Sequence, residues 1–222
     1  MCGVQFAKKT LARFTKLFRT RDAGSRQWTI SLGLVLCLFQ FLSVGSGNLW
    51  FLFWKVQYRV TMDQYADMAM VGAVRECCTN WLLVPLLTKR FRDTTLIIIA
   101  SIITAAGCLV HSFGRTIPFL YFSLIFFLFW SFGSTATRSA ISKLVSPGEV
   151  GTAFTFLGIL CKLVDFFSKP FFGFLYKLTV LHLPAAWLYV LAAGFATIAI
   201  LVVFIHFGIQ KLDNTIVNRD GN

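Results

Sequence analysis

Runs of about twenty apolar residues, each stopped by a short polar or charged break, recur along this chain and constrain its fold more than any other feature. A helix needs about 20 mostly apolar residues to cross a bilayer, where its backbone must satisfy its own hydrogen bonds. Six such runs lie at about 28–50, 64–87, 95–113, 118–137, 151–176 and 184–208. The expected architecture is an all-α membrane protein whose six transmembrane helices form one bundle, with the lipid bilayer as its main solvent. Composition agrees, because a chain that is 57% hydrophobic and 14% charged has more apolar surface than a water-soluble core of 222 residues could hide.

A net charge of +12 would point to nucleic acid in a soluble protein. Its placement argues for a membrane instead, with no nucleic-acid partner. If successive loops alternate sides, 14 of the 21 Lys and Arg fall on the side of both termini, four fall opposite, and Arg75, Lys162 and Lys169 lie within spans. Cytoplasmic loops are enriched in these residues, so both termini are expected in the cytoplasm. Residues 4–19 place Val4, Ala7, Leu11, Phe14 and Phe18 at helical spacing among Lys8, Lys9, Arg13, Lys16 and Arg19. Residues 1–27 therefore read as a basic amphipathic cytoplasmic segment suited to an anionic leaflet. Residues 210–222 read as a cytoplasmic tail.

Local catalytic or metal-ligating patterns are missing, so neither an enzyme nor a bound cofactor or metal is expected. Five of the six cysteines lie inside apolar stretches without ligand spacing and read as free thiols. His111, His182 and His206 are expected to be ordinary interfacial residues.

Charges at bilayer depth cost about 3 kcal/mol on insertion scales, so each needs a partner, a cavity or a function. In the second span Asp67 and Arg75 share a face, while Glu76 projects roughly 100° away, in line with Gly72 and Asn80. In the fifth, Lys162, Asp165 and Lys169 follow one another on one face, and Asp165 can pair with either lysine. These groups either lock helices together as ion pairs or line a polar pathway for a charged solute or a proton.

Between the fourth and fifth runs stands Thr137-Arg138-Ser139-Ala140-Ile141-Ser142-Lys143-Leu144-Val145-Ser146-Pro147-Gly148-Glu149-Val150-Gly151, followed by an apolar helix with Phe154, Pro170 and Tyr176. This string resembles the proton-coupled folate transporter family of the major facilitator superfamily. The resemblance implies that the six runs, from about Trp28 to Leu212, match the C-terminal half of a twelve-helix carrier. Leu87-Thr88-Lys89-Arg90-Phe91-Arg92-Asp93 is similar to the superfamily's basic loop, without the leading glycine. Arg138 matches an arginine that the resemblance associates with substrate binding and coupling.

In such carriers the site lies near the midplane between two rocking six-helix bundles. Arg138, with Arg75 or Lys162, would offer a cationic wall to a small anionic organic solute, folate-like or other, and Glu76 and Asp165 could carry protons. Gly45 and Gly47 are candidate outer-gate positions, and Lys143 and Glu149 candidate cytoplasmic-gate positions. The missing partner would be an N-terminal six-helix half or another subunit, in a plasma or lysosomal membrane. The alternative is a membrane interaction or regulatory protein that does not transport.

Overall fold

A computed structural model describes residues 23 to 220, with side chains from 27 to 210. The described residues are helical and contain no strand: α1 (Ala23–Ser46), α2 (Leu49–Gln57), α3 (Met62–Cys78), α4 (Val84–Arg90), α5 (Asp93–Phe113), α6 (Ile117–Leu124), α7 (Phe132–Leu144), α8 (Val150–Thr179) and α9 (Ala186–Asp220). A π turn, Thr79–Leu83, joins α3 to α4, and a 3-10 turn, Phe126–Phe129, lies between α6 and α7. The amphipathic segment expected over residues 4–19 lies outside the described residues.

Five helical stretches are long and apolar enough to cross a membrane: Gln27–Ser46, Asp93–Phe113, Ile117–Leu144, Val150–Thr179 and Ala186–Gln210. The remaining expected span is helical from Met62 to Arg90 and about 43 Å long at 1.5 Å per residue, ample for a bilayer. It does not join the five, because Asp63, Asp67, Arg75, Glu76, Lys89 and Arg90 are spread along it. Its start is set by a capping box, in which Thr61 and Gln64 each accept a hydrogen bond from the other's backbone N–H.

Two boundaries differ from expectation. The first span does not run to Trp50: α1 stops at Ser46, and residues 55–57, expected in a loop, belong to α2. The segment 210–220, expected as a polar tail, continues α9.

The core is built from two helix pairs. Along the first, α1 and α8 run parallel: a Cβ on Gly33 would come within 3.1 Å of Leu157, and one on Gly45 within 2.5 Å of Phe172 and 2.9 Å of Ser168. Small residues allow such close approach where lipid supplies no hydrophobic drive between helices. The second pair is antiparallel, since Thr94 at the start of α5 meets His206 near the far end of α9, whereas the other end of α5 lies by Trp187. Phe39, Phe132, Phe172, Trp187 and Phe195 are fully buried between these layers.

Candidate functional site

At the end of the bundle where α5 finishes, His111 is completely buried and joins three elements. The Trp54 indole N–H donates to His111 Nε2 at 2.9 Å, and the other ring nitrogen, Nδ1, stands 2.6 Å from Ser123 Oγ. An indole can only donate, so Nε2 must be the acceptor and the proton sits on Nδ1. The resulting chain has one direction: Trp54 to His111, His111 to Ser123, and Ser123 on to the Leu120 carbonyl at 2.7 Å. The Tyr58 hydroxyl donates to the His111 carbonyl at 3.0 Å, and burial pushes that phenol up to about 12, so it remains a donor at any physiological pH. His111 is thus a fully hydrogen-bonded core residue, correcting the expected interfacial position.

The rings gathered around His111 form the wall of a cleft. Trp50, on α2, packs edge-on against His111, Phe127, Trp130 and Trp187 with centroids 5.0 to 5.9 Å apart. Trp54 adds an edge contact to Tyr65 of α3 at 5.7 Å. Trp50, Trp54, Tyr65, Phe127, Trp130 and Arg75 line an open cleft of about 190 Å³, with Gly47 also at its edge and no carboxylate among its lining residues. Arg75 gives this aromatic pocket its charge. A guanidinium can hold a carboxylate, sulfate or phosphate in bidentate fashion while aromatic faces hold a ring system.

A second polar group occupies α7 and α8. Lys162 and Asp165 form an ion pair at 3.1 Å in which the lysine side chain is 82% exposed and the carboxylate 14%. Arg138 and this pair all lie within electrostatic reach of Cys161. A nearly bare lysine cannot face hydrocarbon at low cost, so this side of α8 requires water, headgroups or protein opposite it. Asp165 Oδ1 is buried without a hydrogen-bond partner.

The expected site residues therefore separate. Arg138, Lys162 and Asp165 come together, Arg75 lies apart in the cleft, and Glu76 is exposed outside it. Among the described residues the ion pairs are Lys162–Asp165 and Lys143–Asp93, so Arg75 pairs with neither Glu76 nor Asp67, and Arg138 does not pair with Glu149. Lys143 contacts Asp93 at 2.7 Å, where Ser139 also donates at 3.1 Å, tying α7 to the first turn of α5. Glu149 accepts from Ser146 at 2.9 Å, and Gly47 stands at the break after α1. Gly45 is packed against α8 rather than free to flex.

Sequence reasoning passed over His111, the cleft aromatics and Asp93. The one local signal was the four-residue step from Trp50 to Trp54, which puts two indoles on one helical face.

The chain is similar to members of solute carrier family 46. It is 30% identical over 102 residues to solute carrier family 46 member 2 of Mus musculus, covering 46% of this chain and 21% of that protein. It is 24% identical over 173 residues to the lysosomal proton-coupled steroid conjugate and bile acid symporter of Gallus gallus, covering 78% of this chain and 37% of that protein. Solute carrier family 46 member 2 of Canis lupus familiaris is 28% identical over 102 residues, covering 46% of the chain and 21% of its own length. The chain thus spans well under half the length of these relatives. No family model matches it.

Proposed function

We propose that this chain forms one bundle of an alternating-access carrier for a small, amphipathic organic anion, moved together with protons. The observation that carries this reading is the aromatic cleft with Arg75 at its edge, a place for a flat or polycyclic body bearing one acidic group. The similarity to a proton-coupled symporter of steroid conjugates and bile acids supports it, as does the resemblance to proton-coupled folate carriers. Both kinds of solute join a ring system to an anionic end.

In this reading the exposed Arg138 and Lys162, with the half-buried Asp165 beside them, face a second six-helix bundle, supplied by the same polypeptide or by another subunit, and the solute passes between the two. Asp165, with one oxygen unsatisfied, and the exposed Glu76 are the candidate proton carriers. Lys143, joined to Asp93, and Glu149 belong to the cytoplasmic gate, and the break at Gly47 belongs to the outer one. Both termini then lie in the cytoplasm, with the protein in a plasma or lysosomal membrane.

Binding can be tested without the second bundle. With the chain in lipid nanodiscs, a bile acid, a sulfated steroid and a reduced folate are titrated against tryptophan fluorescence. One or more should quench it saturably, and Arg75→Gln should weaken that binding by about tenfold, equivalent to about 1.4 kcal/mol. Equal binding of an uncharged analogue, or unchanged affinity in Arg75→Gln, would remove the cleft from the site. Proton-driven uptake of the same solutes then tests transport.

A further inference from the structure

A pair of thiols lies where α1 and α8 are closest. The two helices run parallel, and their contacts advance in step, from Gly33 against Leu157 to Gly45 against Ser168 and Phe172. One turn beyond the first of these contacts stand Cys37 on α1 and Cys161 on α8, which the parallel register sets against each other across the interface. Both are free cysteines. Phe41 follows one turn later and packs on Phe171 and Phe172 with centroids 5.4 and 5.7 Å apart, so the register holds on both sides of the thiols.

Cys37 is also reachable, while Cys161 is buried. Cys37 lines an apolar groove of about 720 Å³ between α1 and α8, whose walls include Gly33, Leu34, Leu157 and Leu160. Lys162 and Asp165 are the next ionisable groups along α8, and Arg138 approaches from α7. The three make the only charges within electrostatic reach of Cys161 among the described residues.

We propose that Cys37 and Cys161 form a redox-active dithiol that an apolar disulfide entering the groove converts to a disulfide staple between α1 and α8. One cysteine loses its proton, and its thiolate attacks the reagent R–S–S–R, releasing one RS⁻, which takes up that proton to become RSH. The second cysteine, likewise deprotonated, displaces the other RS⁻ from the mixed disulfide and supplies its proton, forming the Cys37–Cys161 bond. Two protein thiols are oxidised and one reagent disulfide is reduced to two thiols, with no other co-reactant. Helices already in contact need little rearrangement to reach bonding geometry, whereas the exposed Cys77 and Cys78 are adjacent on one helix and project in different directions. The staple does not depend on whether the protein transports anything.

The test uses the unmodified chain in lipid nanodiscs, treated with a membrane-permeant aromatic disulfide and then denatured for thiol titration and peptide mapping. A Cys37–Cys161 cross-linked peptide should appear, with no reagent left on either of those residues, and reduction should restore all six thiols. Cys37→Ser and Cys161→Ser should each abolish that peptide. Retention of six free thiols, reagent adducts on Cys37 or Cys161 without a cross-link, or cross-links that join other cysteines would overturn the proposal.

Discussion

Helix α5 and the 62–90 stretch that precedes it have nearly opposite relations to the rest of the molecule. Eleven of the 21 residues of α5 are buried, among them Asp93, Thr94, Ser101, Thr104, His111 and Ser112, and most of these polar groups bond inside the protein: Asp93 with Ser139, Thr94 with His206, Ser101 with Ile97, His111 with Trp54 and Ser123, and Ser112 with Leu109. Along 62–90, by contrast, Met68 and Thr79 are the buried residues, Trp81 is 85% exposed, and Glu76 and Asp67 point outward. Polar residues that are satisfied within a bundle stabilise it; polar residues turned away from it are available to a solute, to water or to another bundle. In the proposed carrier the first helix would be scaffold and the second working surface.

Substitutions should separate these two roles. The largest effect is expected for Gly107→Val on α5, because a Cβ there would stand 2.7 Å from Phe126 Cβ. Such overpacking should cost about 3 kcal/mol and lower the unfolding temperature in detergent markedly; an unchanged melt would show that α5 is not tightly held. His111→Leu comes next. It strands the Trp54 N–H and should cost about 1 to 3 kcal/mol, while His111→Gln, which can both accept and donate, should recover most of the loss. Equal losses in both variants would mean that ring packing, and not the directed chain, holds this end together.

On the 62–90 stretch, a Cβ at Gly72 would meet nothing within 4 Å. Gly72→Ala should therefore stabilise by about 0.5 to 1 kcal/mol through helix propensity, measured in the same melts, and a destabilised variant would reveal a hidden contact. The smallest effect on stability is expected for Glu76→Gln, which should leave the melt unchanged while slowing proton-driven uptake; uptake at the wild-type rate would exclude Glu76 as a proton carrier.

The apolar runs were legible because hydropathy is a local property, and five of them reappear as helices long and apolar enough to cross a membrane. The mixed nature of 62–90 was legible too, since its charges could be counted. The cleft was not, because Trp50, Arg75 and Phe127 are distant in sequence and meet only through tertiary packing. His111 was misjudged for the same reason: nothing beside it in sequence reveals an indole hydrogen bond from 57 residues away. Lys162–Asp165 was readable as a three-residue step, but the Lys143–Asp93 bridge crosses between two helices and left no local trace.

The π turn at Thr79–Leu83 has a consequence for how this working surface is divided. Thr79 anchors it, donating to the Leu128 carbonyl at 3.0 Å in the 3-10 turn of the neighbouring span. A π turn accommodates one residue more than α-helical winding would, and one residue is about 100° of azimuth. Lys89 and Arg90 are consequently set at a different angle around the axis, relative to Arg75, from that which uninterrupted winding would give them. Removing a single residue there would let ordinary α-helical winding close the turn with the basic end still aimed as it is, so the aim of those charges is written in backbone winding and not in residue count.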